Sequence, residues 1–258
     1  MNVIRNILKI YKKYYIKNFN NELTRMRNKP SLRDVCYFSC KNNLKGLNMT
    51  HKLVSSKEKI SILDLGCGDM PFKAFFLGIS EKFIGIDNDP NSQADIIQDI
   101  SEALPFKSNS FDLVILSEVL EHLEEPLRVI ENIKRILKND GFLFISSPFA
   151  FPIHAKPHDF YRYTEYFFKD YLKKVGINCK YIYKSNSIIT TPVLSIMQVI
   201  TLLPIFPRSI KSLVLLILNI FIFIIESCLK PLHKFGTIST YLNSFPVGYA
   251  AIFQKIEI

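Results

Sequence analysis

The chain has 258 residues, 48% of them hydrophobic and 22% charged, with a formal net charge of +10. That composition excludes a disordered or fibrous chain and fits one large globular domain, or one domain with an insertion. Residues 1–60 hold 14 Lys and Arg against 3 Asp and Glu, leaving 19 basic and 20 acidic residues for the rest, so the basicity belongs to the N-terminal segment and suits an anionic partner, a membrane surface or a polyanion.

In residues 3–19, Val3, Ile7, Ile10 and Tyr14 recur at helical spacing beside Ile4, Leu8, Tyr11 and Tyr15, with Arg5, Lys9, Lys12, Lys13 and Lys17 between them. A basic amphipathic helix is the pattern of interfacial membrane binding, and equally of a helix packed on a core with a solvated lysine face. Residues 1–59 are read as this basic segment. From residue 60, strands and helices alternate. Ile60–Leu65 reads as a strand buried on both faces. The glycine turn Gly66-Cys67-Gly68 follows, then a helix over Pro71–Leu77 with Pro71 at its first position, where a missing N–H costs nothing. Further strands are expected at Phe83–Ile86, Asp95–Gln98, Phe111–Leu116 and Phe142–Ser146. A helix at Pro126–Leu137 is stopped by Asn139-Asp140-Gly141. Another runs from Thr164 to about Val175, capped by that threonine, and strands near Tyr181–Tyr183 and Gly248–Gln254 complete the set. The alternation predicts an α/β fold with a doubly wound, mostly parallel seven-stranded sheet of Rossmann-like type over residues 60–187 and 246–258.

Residues 188–245 form an apolar insertion before the last strand. Ile188–Pro207 holds no charged residue, and Leu213–Ile225 is apolar except for Asn219. Thirteen residues fall short of the ~20 a spanning helix needs, and Pro192, Pro204 and Pro207 break the first stretch. Leaving and re-entering one cytosolic sheet would also place Arg208 and Lys211 on the far side, against the positive-inside tendency. A shallow hairpin in the cytosolic leaflet fits better; the alternatives are a greasy lid over the site and a dimer interface. The five cysteines, Cys36, Cys40, Cys67, Cys179 and Cys228, are odd in number and lack CxxC spacing, which argues against a disulfide framework or a zinc site and fits a reducing cytosol. No metal constellation is expected. The basic N-terminus has neither an uninterrupted apolar core nor a small-residue cleavage site, so no secretory leader is expected. The protein is placed in the cytoplasm, peripheral on the membrane face.

A strand, a glycine turn and a helix make a nucleotide-binding crevice at a strand's carboxyl end. A dinucleotide fingerprint needs G-x-G-x-x-G; here Pro71 stands at the third glycine, and no Walker A loop occurs. A cofactor without phosphate tolerates this loop better. Asp87, about 20 residues beyond the glycines, can accept both hydroxyls of an unphosphorylated ribose. Asp99 can accept a hydrogen bond from an adenine amine, with Ile100 offering its N–H. Three acidic residues, Asp64, Asp87 and Asp99, thus end three successive strands.

Six blocks now agree in order and spacing: Ile-Leu-Asp-Leu-Gly-Cys-Gly, Gly-Ile-Asp, Gln-Asp-Ile…Leu-Pro-Phe, Ser-Phe-Asp-Leu-Val, Leu-Ser-Glu-Val-Leu-Glu-His-Leu and Ile-Lys-Arg-Ile-Leu-Lys-Asn-Asp-Gly. Over residues 60–186 and the last strand, the chain resembles class I S-adenosylmethionine-dependent methyltransferases of the small-molecule type. The resemblance implies that Gly66 and Gly68 meet the methionine moiety of S-adenosyl-L-methionine, Asp87 the ribose and Asp99 the adenine. Asp64 would orient the loop, Ser117 would line the methionine side, and Cys67, Asn88 and Ile100 belong to the same cofactor set. Met70 stands where the family often has a small residue. The block Ser147–Thr164 leaves the fifth strand on the cofactor's edge and resembles a subgroup associated with surface-glycan biosynthesis. Methyl transfer to a hydroxyl removes one proton, a task suited to histidine. His154 is the first candidate for general base. His158, Asp159, Tyr161 and Arg162 would position substrate or orient that histidine, and His122 competes with it. The alternative is that the histidines brace the loop while catalysis rests on proximity.

The expected function is methyl transfer from S-adenosylmethionine to a small-molecule or sugar hydroxyl, glycan- or lipid-linked, at the cytosolic membrane face. The rivals are a lipid or quinone methyltransferase and a non-catalytic cofactor-binding scaffold. A specific nucleic-acid partner is not expected, since the core is not basic and Ser117-Glu118-Val119-Leu120 replaces the Asn-Pro-Pro-Tyr or Asp-Pro-Pro-Tyr block.

Overall fold

A computed structural model describes residues 22, 24–57, 59–202 and 207–256. The amphipathic pattern of residues 3–19 lies outside them. Seven strands, β1 (Ile60–Leu65), β2 (Ser80–Asp87), β3 (Ile96–Ile97), β4 (Phe111–Ser117), β5 (Leu137–Pro148), β6 (Ile177–Ser185) and β7 (Gly248–Lys255), form one sheet in the order β3-β2-β1-β4-β5-β7-β6. β3 to β5 pair in parallel, while β7 runs antiparallel to both β5 and β6. This is the Rossmann-like arrangement of the methyltransferase fold.

The central strands are continuous apolar runs because both faces are covered. Leu63, Leu65, Val114, Leu116 and Leu143 face one layer, with α2 (Pro126–Ile136) across it. Pro126 occupies the first turn of α2, and Val129, Ile130, Ile133 and Ile136 form its fully buried stripe. On the other face Ile62, Leu113, Ile115, Phe144 and Ile252 pack under α1 (Tyr37–Val54). α1 approaches closely: a Cβ at Gly46 would lie 2.7 Å from a ring carbon of Phe144. The basic N-terminal segment therefore contributes a covering helix to the sheet, with Leu47 and Val54 fully buried.

Several boundaries differ from expectation. The helix after the glycine turn is the single turn Lys73–Phe76, and Pro71 lies in the turn before it rather than at its first position. β3 is two residues long; Asp95 just before it donates its N–H to Gly85 O at 2.9 Å and takes the Gly85 N–H on its carboxylate at 2.8 Å. α2 stops at Ile136; Leu137 already pairs with Phe111, and 138–141 bulge out before Phe142 pairs with Leu113. The stop signal at Asn139-Asp140-Gly141 is thus this bulge, with Asp140 at φ +61°. Residues 165–174 are helical, with a π-type turn at Phe167–Tyr171.

The insertion holds α3 (Thr191–Leu202), α4 (Arg208–Leu229) and α5 (Gly236–Leu242). α4 has 22 residues, longer than the thirteen-residue apolar stretch suggests. At 1.5 Å per residue it is roughly 33 Å long, close to a hydrocarbon core, and by length and composition Ser209–Lys234 qualifies as a membrane span. Its polar residues are used inward. Asn219 Nδ2 donates to the carbonyls of Leu32 (2.8 Å) and Asp34 (3.0 Å), and Glu226 accepts from the Ser187 N–H (2.9 Å) and the Thr190 hydroxyl. Leu215 and Ile222 pack against Leu194, Met197 and Val247. The opposite side leaves Leu213, Ile217, Phe221 and Ile224 about half exposed.

Candidate functional site

The sheet reverses direction of winding at β1, with β2 on one side and β4 on the other, and ligands bind where such strands end. Gly66, Gly68 and Met70 all take positive φ (+66°, +52°, +48°), folding the loop back on itself. A Cβ at Gly66 would lie 2.4 Å from Val119 Cγ2, so only glycine fits there. The amides of Gly66 and Cys67 donate to Ile86 O, and the Gly68 N–H donates to Asp87 Oδ2 at 2.8 Å. The Asp89 N–H reaches the other oxygen of Asp87, and Asp99 Oδ1 takes the Ser101 N–H. Each carboxylate keeps further lone pairs for a ligand.

These groups open on a cavity of about 590 Å³. One wall is Gly66, Asp87, Asn88, Asp99 and Ile100; the facing wall is Glu118, His122 and His158. With Glu124 and Glu125 the lining carries five carboxyl groups and no Lys or Arg. Such a cavity suits a cation better than a phosphate. Behind it Asp64 is buried, and its Oδ2 has no hydrogen-bond partner. Burial pushes the Asp64 carboxyl up to about 8, with nearby Arg27 opposing and Asp87 adding to the rise. Cys67 is also buried, its thiol pushed up chiefly by burial, and it packs with Met70 over Gly85. Ser117, expected on the methionine side, does not line this cavity: it is buried and shares a 2.8 Å hydrogen bond with Ser146.

The loop after β5 brings the four catalytic candidates to this region but divides them. His158 lines the cofactor-side cavity. Tyr161 and Arg162 line a second cavity of about 450 Å³, walled by Phe149, Phe151, Ile153 and Phe245. Arg162 is spent on the loop, gripping both oxygens of Asp159 at 2.6 and 2.8 Å and reaching the carbonyls of Phe151 and Pro152. That grip holds the Asp159 carboxyl well below its usual range. The Tyr161 hydroxyl likewise donates to Glu124 O. Both are braces rather than free substrate ligands. Asp159 accepts the His154 N–H at 2.9 Å and lies 3.3 Å from His154 Nδ1. His154 Nε2 then faces inward, 3.9 Å from Glu121 Oε1, instead of toward the cavity.

Glu118 and Glu121 escaped the sequence reading as site residues. Glu118 takes φ +56°, accepts from Asn43 at 3.1 Å and lines the cavity. Glu121 is fully buried, and burial, with Glu118 nearby, pushes its carboxyl well up. Burial pushes the His122 imidazole down. The only signal was two acids and a histidine just past a strand's carboxyl end.

Residues 63–145 match the family profile described as a methyltransferase domain. These residues, about a third of the chain, are similar to that family. Over 108 residues the chain is 35% identical to an uncharacterised protein of Methanocaldococcus jannaschii, covering 38% of this chain and 45% of that one. It is 28% identical over 104 residues to a ubiquinone biosynthesis O-methyltransferase of Glaesserella parasuis, covering 33% and 44%. A probable S-adenosylmethionine-dependent methyltransferase of Mycobacterium tuberculosis is 26% identical over 96 residues, covering 34% and 35%. The chain thus spans less than half the length of these curated relatives. In fold, it resembles an S-adenosylmethionine-dependent methyltransferase of Archaeoglobus fulgidus (TM-score 0.51, 17% identity, covering 91% and 99%). It also resembles the cyclase SpnF (TM-score 0.54, 16% identity, covering 86% and 84%). The Mycobacterium tuberculosis and Archaeoglobus fulgidus proteins are described as dependent on S-adenosylmethionine, a cation at its sulfur. The site residues of this chain fit that cation: a buried carboxyl oxygen at Asp64 with no hydrogen-bond partner among the described residues, a lining with five carboxyl groups and no Lys or Arg, and a loop at Gly66 that a Cβ would block. The match to a cyclase fold means that architecture alone does not choose the reaction.

Proposed function

We propose that the protein moves the methyl group of S-adenosylmethionine to a hydroxyl of a small molecule or glycan, lipid-linked and presented at the cytosolic face of a membrane. The observation that carries this reading is the single cavity in which Asp87 and Asp99 face His122 and His158. The cofactor supplies an electrophilic methyl group on a cationic sulfur. Asp87 and Asp99 hold its ribose and adenine ends, and Glu118 supplies negative potential around the positive charge. The acceptor oxygen must approach in line and lose its proton, and His158 is the histidine whose position on the cavity wall suits that transfer. His154, the first candidate on sequence grounds, is turned toward Glu121 in this structure.

The membrane part rests on the half-exposed apolar side of α4 and the basic N-terminal residues. A second reading, methylation of a lipid or quinone, is favoured by the same apolar side and by the ubiquinone O-methyltransferase among the relatives. The test is formation of S-adenosylhomocysteine with glycan intermediates and, separately, with lipid extracts. Asp87→Ala is expected to abolish cofactor binding. His158→Ala is expected to keep cofactor affinity while lowering turnover by about 10²-fold or more. Cofactor binding without product from any extract leaves a scaffold and refutes the reading.

A further inference from the structure

We propose that Glu121, His122 and His154 form a binding site for a divalent transition-metal ion. One ligand atom from each lies within 4.8 Å of the other two. The argument rests on where the protons are. His122 Nδ1 lies 2.5 Å from the carbonyl oxygen of His158, which can only accept. His154 Nδ1 lies 3.3 Å from the carbonyl of Pro152 and 3.3 Å from the Asp159 carboxylate, again acceptors. Each Nδ1 therefore carries the hydrogen, and in a neutral imidazole Nε2 is then a bare lone pair. Both Nε2 atoms face the same oxygen, Glu121 Oε1, at 3.6 and 3.9 Å. That oxygen is fully buried, and no hydrogen-bond donor reaches it among the described residues, while Oε2 takes the Ser147 hydroxyl. Three ligand atoms thus converge, and no hydrogen-bond donor among the described residues stands between them. A bound cation satisfies all three at once.

The surroundings have the form of a metal site. Ligating histidines commonly donate their other N–H to a carbonyl or carboxylate, which fixes tautomer and ring orientation. Here His158 O and Asp159 do this, and Arg162 holds Asp159 in place. Two imidazoles and one carboxylate select zinc, iron, cobalt or manganese over magnesium and calcium, which take oxygen ligands. His122 borders the cofactor-side cavity, so the unfilled positions of the ion open toward the acceptor. This role rests on the methyl-transfer reading. A ligated hydroxyl ionises near neutral pH. Its proton passes to His158 and on to solvent, and the oxygen's lone pair forms the O–CH₃ bond. The S–CH₃ electrons return to sulfur as S-adenosylhomocysteine leaves.

The experiment is titration of chelator-treated full-length protein with Co²⁺, read by visible absorption, with S-adenosylmethionine binding measured in parallel. One equivalent is expected, with d–d bands of nitrogen and oxygen ligation and no thiolate charge-transfer band, which separates the site from the cysteines. A Glu121→Gln, His154→Gln double variant should lose the bands while still binding cofactor, which shows that it is folded. Asp159→Asn should weaken Co²⁺ by about 10- to 100-fold, the usual effect of removing an outer partner. Cofactor binding with no Co²⁺ bands in the wild type, or bands unchanged in the double variant, overturns the site; Glu121 is then a protonated acid shared between the histidines. That result leaves the methyl-transfer reading standing, since cofactor binding and product formation are read separately.

Discussion

Asp64→Asn isolates the cost of keeping a carboxyl group behind the cofactor loop. Burial raises the Asp64 carboxyl from an ordinary 3.8 to about 8. Below pH about 4 the group is protonated in both folded and unfolded chains, so wild type and variant differ only by a fixed offset. As pH rises toward 8 the unfolded chain releases the proton while the folded chain keeps it. Wild-type stability therefore falls relative to the variant by about 1.4 kcal/mol per pH unit. Between pH 5 and pH 7 the variant should gain roughly 2.7 kcal/mol on the wild type, an order-of-magnitude figure. At ~2–4 °C per kcal/mol for a chain of this size, its Tm should gain about 5–11 °C. The assay is thermal denaturation of both proteins across pH 4.5–8 without cofactor; every other titrating group cancels in the difference. Parallel Tm–pH curves would refute the buried acid.

Gly66→Ala forces a methyl group into Val119 at a positive φ, and should cost about 1–3 kcal/mol and weaken cofactor binding, read by denaturation and titration calorimetry. A stable variant with normal affinity would show that the loop yields. On α4, Ile217→Glu with Ile224→Glu should reduce flotation with anionic vesicles about tenfold or more without changing Tm, since both side chains are about half exposed; undiminished flotation would refute membrane contact by this face.

The sheet was legible because burial on both faces writes itself as apolar runs. Ile60–Leu65 ends as read, where Gly66 must turn. Elements whose limits depend on remote partners were not legible. α4 runs on to Leu229 because Glu226 finds the Ser187 N–H and the Ser227 hydroxyl returns to Phe223 O, so polar residues are accommodated inside a helix. β6 extends to Ile177 at one end and Ser185 at the other by pairing with β7, some seventy residues later. In the site, the acidic residues at the strand ends were readable from position alone. The inward turn of His154 was not: it depends on Asp159, held by Arg162, and on a carboxylate 33 positions earlier in the chain.

The two hydrogen bonds from Asn219 to the chain just ahead of α1 have a mechanical consequence. They fasten the apolar helix to the body of the fold at mid-length, and Glu226 fastens it again two turns later. Among the described residues the greasy surface is thus tied to the body of the fold at two levels of one helix. On a bilayer, such a protein would sit at one height and one tilt. Acceptors would be sorted by how far their reactive oxygen stands above the lipid, a measure of tether length as much as of chemistry.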